Sequence, residues 1–432
     1  MFRIISAKLL AWKESQYRKP LVLQGARQVG KTYAVLAFAR EQYDNVAYIN
    51  FEIDQAAAAI FENSLDPKHV VPKIEVFTKQ TVTKGRTLIF LDEIQKCPLA
   101  LTSLKYFDEF APEYHVIVAG SLLGVAVCRD EFSFPVGKVD RITLFPMDFE
   151  EFLIAMGKSD FVARIKDCFA SNTPIDAVYH NSLLEYYRQY LVVGGMPDCV
   201  AKFVETDDYT LCRATQKLIL SDYLDDMSKY NNNKNEIKKT RLAYNSVTAQ
   251  LSKKNTRFQY KLIKSGGRAA EFENAIEWLV LSGIVTRVHA LDTVKKPLDN
   301  YKNIDSFKIF VSDVGLLCAK NNVLANDILY ASSELNDFKG GMTENYVCSQ
   351  LVFRGYECYT WYSEGEAEMD FVIQREGNII PVEVKSADNS KAKSLAVYTG
   401  KFKPEYAIKV STNNFGFANG IKTIPLYAAF CI

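Results

Sequence analysis

The sequence predicts an α/β protein of the doubly wound kind, and three observations carry that reading. Over the first 150 residues, short β-rich runs alternate with helical patterns. Several of those runs are apolar throughout, as strands buried on both faces of a parallel sheet must be. The first run leads straight into a glycine-bounded turn and then a helical pattern, at Gly25–Thr32.

Taken in order, the expected strands are Leu21–Gln24, Val46–Phe51, Thr87–Leu91, His115–Ala119 and Arg141–Phe145. Helical patterns such as Thr32–Gln42 and Leu99–Phe110 fall between them. From about 148 to 230 the strand signal disappears, and aromatic-rich helices are expected at Asp148–Met156, Leu183–Tyr190 and Leu211–Lys229. Gly194-Gly195-Met196-Pro197 is the strongest turn signal of that region. Asn231-Asn232-Asn233 reads as a joint. After it come the helix Ala269–Ser282 and the strand Gly283–His289. The last part is mixed: strand Phe307–Val311, helix Met342–Phe353, and a hairpin of Glu368–Gln374 with Ile379–Lys385.

Length and composition set bounds. A chain of 432 residues is too long for one core. With 48% hydrophobic and 24% charged residues it reads as an ordinary folded protein. The nine cysteines are odd in number, none forms a C-x-x-C pair, and the four histidines are scattered, which argues against a disulfide framework or a structural zinc site. Lys8 and Lys13 interrupt the apolar run Ile4–Trp12, so a signal peptide is not expected. No apolar stretch is long enough to span a membrane. The expected location is the cytoplasm.

The formal charge of +1 hides one basic stretch: residues 234–268 hold ten Lys or Arg against one acid, Glu236. Helices followed by a short strand match a winged-helix module, and such charge could neutralise the phosphates of DNA or RNA. The same charge could equally be a solvated face, or pair with acids elsewhere.

Gly25-Ala26-Arg27-Gln28-Val29-Gly30-Lys31-Thr32 fits G-x-x-x-x-G-K-S/T in full, between a strand and a helix. Glycines let the backbone curl so that successive N–H groups face phosphate oxygens, and the helix N-terminus adds its positive end. Lys31 is expected to reach the β- and γ-phosphates of ATP, and the Thr32 hydroxyl to ligate Mg²⁺. In Thr87-Leu88-Ile89-Phe90-Leu91-Asp92-Glu93 an apolar strand ends in two acids. Asp92 is expected to hold the Mg²⁺ ion through its water shell, and Glu93 to orient and deprotonate the attacking water. Ser121, after the strand Val116–Ala119, is placed to sense the γ-phosphate.

The tail offers a second constellation. If Glu376-Gly377 is a two-residue turn, Asp370 lies opposite Glu383 and Glu368 opposite Lys385. One face would then carry three acids and a lysine, able to bind a second divalent ion (Mg²⁺ or Mn²⁺) through Asp370 and Glu383. Lys385 would orient a water or stabilise charge at a scissile phosphate. A cross-strand salt bridge and solvated acids explain the same residues.

Together these pieces resemble a family of bacterial and archaeal AAA-type ATPases that carry a C-terminal, nuclease-like domain of unknown function. The matching pieces are Leu21–Thr32, Thr87–Gln95, Gly120–Leu123, Leu144–Leu153, Gly194–Pro197, Lys308–Leu317, Glu344 and Met369–Lys385. The resemblance implies sheet order 5-1-4-3-2, a helical lid, a winged helix and a restriction-endonuclease-like tail. It implies ATP as the nucleotide, and Glu344 with Asp370, Glu383 and Lys385 as a PD-(D/E)xK-type site. The expected modules are 1–150 (ATPase core), 151–230 (lid), 231–292 (winged-helix-like) and 293–432 (nuclease-like).

One departure stands out. The family commonly has Gly-Arg before the final core strand, where this chain has Gly137-Lys138, and lysine lacks the forked contact of a guanidinium. An arginine acting in trans would have to be Arg129 or Arg141, so a ring assembly is not assumed. The functional expectation is an ATP-hydrolysing AAA-type ATPase acting with nucleic acid, as an oligomer or with a protein partner. The alternative is a regulatory ATPase switch whose tail binds protein and cuts nothing.

Overall fold

The computed structural model describes residues 1–121, 134–229, 233–252, 257–330, 332, 335–363, 367–386 and 393–432. They form two compact units. One comprises Arg3–Phe145 with Leu281–Gly283; the other comprises Met1–Phe2, Pro146–Val280 and Ile284–Ile432.

The first unit is built on a five-stranded sheet of β1 (Leu21–Gln24), β2 (Asn45–Asn50), β3 (Thr87–Asp92), β4 (His115–Gly120) and β5 (Asp140–Thr143), in the order β2-β3-β4-β1-β5. Every pairing in it is parallel. This is the order that the family resemblance implied. Both β3 and β4 are buried at every residue, which is why their sequences do not alternate. The edge strand β2 does alternate. The last strand ends at Thr143, two residues earlier than expected. Proline opens two of the covering helices, Pro67–Thr78 and Pro98–Phe110, at the position where a missing N–H costs nothing.

The second unit begins with helices. Phe149–Ala155, Ser159–Ser171, Ala177–Val193, Pro197–Thr206 and Tyr209–Lys229 follow one another with no strand among the described residues. Three stretches far apart in sequence meet here. Asp148 caps the first of these helices by accepting from Glu151 N (2.8 Å). Met147 N donates to Gly195 O at 2.7 Å. Gly195 N donates to Asp313 Oδ2 at 2.6 Å. The packing is tight enough that a Cβ on Gly195 would stand 1.9 Å from the Met147 carbonyl oxygen. Met147-Asp148, Gly194-Gly195 and Asp313 all lie within the stretches that carry the resemblance, and the contact gives that pattern a physical reason.

The remaining strands form one eight-stranded sheet: β6 (Val285–Leu291), β7 (Lys302–Val311), β8 (Tyr359–Tyr362), β9 (Glu368–Arg375), β10 (Asn378–Val384), β11 (Ala407–Ser411), β12 (Gly416–Ala418) and β13 (Ile421–Pro425). Their order is β12-β13-β11-β10-β9-β8-β6-β7. The helices Lys234–Ser252 and Ala269–Leu281 precede the hairpin β6–β7. That hairpin is not a free wing, because β6 also pairs in parallel with β8.

The β9–β10 hairpin has the expected register, running from Arg375↔Asn378 to Phe371↔Val382. Its turn residues Glu376 (φ 48°) and Gly377 (φ 80°) both take the left-handed conformation that a two-residue hairpin loop requires. The joint at Asn231-Asn232 lies outside the described residues, as do Lys253 and Lys254. Among the described residues no helix is long and apolar enough to cross a membrane.

Candidate functional site

In the first unit the end of β1 turns sharply into the helix Lys31–Gln42. Gly25 has φ 150°, and a Cβ there would stand 2.2 Å from the Leu144 carbonyl oxygen. Gln28 and Gly30 have φ 66° and 91°. Backbone of this curl turns its N–H groups inward, as a phosphate cradle needs. The buried Lys31 ammonium folds over the loop and donates to the carbonyl oxygens of Gly25 (2.9 Å) and Ala26 (2.8 Å). These are ligands that an ammonium exchanges readily for phosphate oxygens.

The strand β3 delivers the acids to the same place. The Thr32 hydroxyl donates to Asp92 Oδ2 at 2.6 Å, and the Tyr48 hydroxyl donates to the same oxygen at 3.3 Å. Glu93 leaves the strand in a left-handed conformation (φ 50°). Its Oε2 accepts from Gln95 Nε2 at 2.5 Å and from the Ser121 hydroxyl at 3.5 Å. Burial raises the pKa of Glu93; the Gln95 hydrogen bond opposes the rise, and the charge of Asp92 adds to it. Thr32, Asp92, Glu93 and Ser121 thus converge as the sequence suggested. A hydroxyl and a carboxylate 2.6 Å apart form a hard oxygen pair that fits Mg²⁺.

Sequence reasoning missed three partners. Arg3, buried, donates to the carbonyl oxygens of Val29 (2.9 Å) and Phe145 (2.7 Å), and so ties the phosphate loop to the end of the sheet. Nothing in the sequence around Arg3 signals this. Tyr48 sits on β2 one strand away from Asp92, so only the parallel register brings it in. Gln95, two residues after Glu93, was the readable one.

The arginine expectations resolve unevenly. Lys138 pairs with Asp108 (3.5 Å) and Glu109 (3.1 Å) of the neighbouring helix. The Arg141 guanidinium lies over the Phe134 ring, 4.1 Å from its centroid. Arg129 lies outside the described residues.

In the second unit Glu344, Asp370, Glu383 and Lys385 do gather, together with a residue not foreseen. Lys308, on β7, is buried, and its ammonium lies 3.1 Å from Glu344 Oε2 and 2.5 Å from Glu368 Oε1. Lys385 pairs with Glu383 rather than with Glu368. Asp370 Oδ2 accepts from Val384 N at 2.7 Å, and Glu383 Oε2 has no partner among the described residues.

Burial, with Glu344 and Glu383 nearby, holds Asp370 well above the usual carboxylate range. Burial likewise raises Glu383, against the pull of Lys385. Burial would lower the Lys308 pKa, but Glu344 and Glu368 more than offset it. Lys308 therefore already supplies positive charge to this cluster. Among the described residues no three His, Cys, Asp or Glu are arranged to hold a metal ion. The second divalent ion expected at Asp370 and Glu383 gains no support from this geometry.

In the basic stretch, Lys239 pairs with Glu236 (2.8 Å) and Lys264 with Glu271 (3.2 Å). Arg241 donates to the Ser228 hydroxyl at 2.7 Å. Lys234, Lys238, Arg257, Lys261 and Arg268 are exposed.

Comparison with known proteins assigns family models to three segments. Residues 17–153 match the family model described as AAA domain. Residues 184–327 and 339–429 match two models described as domains of unknown function, DUF8612 and DUF4143. No curated protein matches the chain. Among solved structures, the Aeropyrum pernix ORC1 protein in complex with DNA is 14% identical, covering 77% of this chain and 94% of its own, with a TM-score of 0.30. The Thermotoga maritima RuvB Holliday junction branch migration motor is 15% identical, covering 66% and 87%, with a TM-score of 0.29. Cdc6p from Pyrobaculum aerophilum is 11% identical, covering 76% and 92%, with a TM-score of 0.25. At such scores no functional statement about this chain follows from them. The phosphate loop, the acids of β3 and the matched segment together make residues 17–153 an AAA-type P-loop ATPase domain, joined to segments of unassigned activity.

Proposed function

We propose that this chain binds ATP with Mg²⁺ at Gly25–Thr32 and hydrolyses it, and that its second unit acts with nucleic acid. The observation that carries the first part is the contact of Thr32 with Asp92 beside a Lys31 ammonium already folded over the loop. Lys31 would exchange its carbonyl contacts for the β- and γ-phosphate oxygens. Thr32 and Asp92 would hold the magnesium ion, which when bound neutralises charge building on those oxygens. Glu93 would take the proton of the water that attacks the γ-phosphorus, while the bond to the leaving ADP oxygen breaks. Ser121 would sense the γ-phosphate.

For the second part we read four modules: ATPase core 1–150, helical lid 151–230, a winged-helix-like basic module 231–292 and a nuclease-like tail 293–432. Support comes from the exposed cations Lys234, Lys238, Arg257, Lys261 and Arg268, which suit a phosphate backbone. The test is binding of labelled single- and double-stranded DNA and RNA, with ATP and Mg²⁺ or Mn²⁺ varied. Lys31→Ala and Lys385→Ala serve as controls. Affinity should fall with salt and change with ATP in the unmodified chain. An affinity indifferent to both would sink the reading.

Lys308 favours a second reading for the tail: a protein-binding platform under a regulatory ATPase, with no cleavage. Under it, Asp370→Ala and Lys385→Ala leave function intact while Lys31→Ala abolishes it.

A further inference from the structure

Three parallel strands of the second sheet end side by side. β10 pairs with β11, and β11 with β13. The residues just beyond their carboxyl ends, Ser386, Thr412 and Leu426, line one partly open cleft of about 90 Å³. In open α/β sheets this is where ligands bind, because crossovers leave a crevice beyond the strand ends.

Three helices wall the cleft. Arg188 comes from Ala177–Val193 and Lys339 from Asn336–Phe353; the acid on the wall is Asp327. Among the described residues no ion pair joins Arg188 or Lys339 to a carboxylate. A second observation points to a ligand. The hydroxyl of Tyr187, a cleft residue only 5% exposed, has the Thr343 hydroxyl beside it and makes no well-formed hydrogen bond among the described residues. The nearby Thr343 hydroxyl gives its own proton to the Lys339 carbonyl oxygen at 2.8 Å. Polar groups so deeply buried are seldom left unpaired. Much of the remaining wall is apolar, with Leu184, Leu191 and Met342.

We propose that this cleft binds a small organic anion. Its phosphate or carboxylate sits with Arg188 and Lys339 and accepts from the Tyr187 hydroxyl, and its apolar body lies against the leucines. The site is separate from the P-loop and draws on neither of the acid clusters described above.

Calorimetric titration of the full chain carrying Lys31→Ala, which silences the P-loop for nucleotides, tests this with two probes. Adenosine monophosphate places a phosphate on an aromatic body; decanoate places a carboxylate on an alkyl one. One of them should bind one-to-one, and the winner identifies the source of the anion. Losing two charge-assisted contacts in Arg188→Ala/Lys339→Ala should weaken it by about a hundredfold, and Tyr187→Phe by about tenfold. Tyr187→Phe should leave the ligand-free melting temperature nearly unchanged, since the hydroxyl it removes has only the Thr343 hydroxyl beside it. Failure of both probes at millimolar concentration overturns the proposal. So does binding that survives the double substitution, or a ligand-free Tyr187→Phe protein that melts earlier.

Discussion

The Thr32 hydroxyl and Asp92 Oδ2, sixty residues apart in sequence, are joined by a 2.6 Å hydrogen bond. The first turn of a helix and the last residue of a buried strand thereby share one oxygen-rich point. Asp92→Asn keeps the shape but removes the charge that would orient the ion's water shell. The magnesium concentration giving half-maximal ATPase rate should rise by about 10–100-fold. A magnesium titration of phosphate release checks it, and an unchanged midpoint excludes Asp92 from that role.

Glu93 must be ionised to accept a proton, and its pKa is raised above the ordinary carboxylate value, chiefly by burial. The acid limb of kcat/KM should therefore lie at higher pH than for an exposed glutamate, with rate lost as pH falls through it. Gln95 opposes the rise by hydrogen-bonding the ionised form. Gln95→Leu should move that limb to still higher pH, whereas Glu93→Gln should lower kcat by about 10²–10⁴-fold with ATP still bound. A limb that Gln95→Leu leaves in place assigns the base elsewhere.

Lys308→Met strands Glu344 and Glu368 without their shared cation. Removing one partner of a buried ion pair costs about 3–5 kcal/mol, so the melting temperature should fall by several degrees. Lys308→Met/Glu368→Gln should recover part of the loss. Equal melting curves for the single variant and the unmodified chain would show that Lys308 is dispensable.

Gly195→Ala puts a methyl 1.9 Å from the Met147 carbonyl oxygen, a backbone atom that cannot swing aside. Overpacking of this kind costs about 1–3 kcal/mol or more. Chemical denaturation should show a lower midpoint for Gly195→Ala and no loss for Gly400→Ala, where a helical glycine without a positive φ has nothing within 4 Å of an added Cβ.

Local chemistry made much of this legible. A phosphate loop is a contiguous motif, and Lys31, Thr32, Asp92 and Glu93 announce themselves by what precedes and follows them. The β9–β10 register followed from one Glu-Gly turn, because period two leaves little freedom once the turn is fixed. What could not be read is what depends on register between distant strands. Tyr48 meets Asp92 only because β2 and β3 run in parallel. Lys308 reaches Glu368 across sixty residues from a strand whose own neighbours, Phe307 and Ile309, look like plain core. The Glu368–Lys385 pair that the hairpin suggested gave way to Lys308 for the same reason. Arg3 grips Val29 through a backbone oxygen, a contact that leaves no mark on side-chain pattern.

The pairing of β6 with β8 has a consequence for how this chain can be divided. A piece starting after Leu291 would keep β7 and β8 but lose the strand that joins them, leaving two unpaired edges on an apolar sheet. The tail is thus no cassette. Whatever lineage or laboratory transplants it must carry β6, from Val285 onward, along with it.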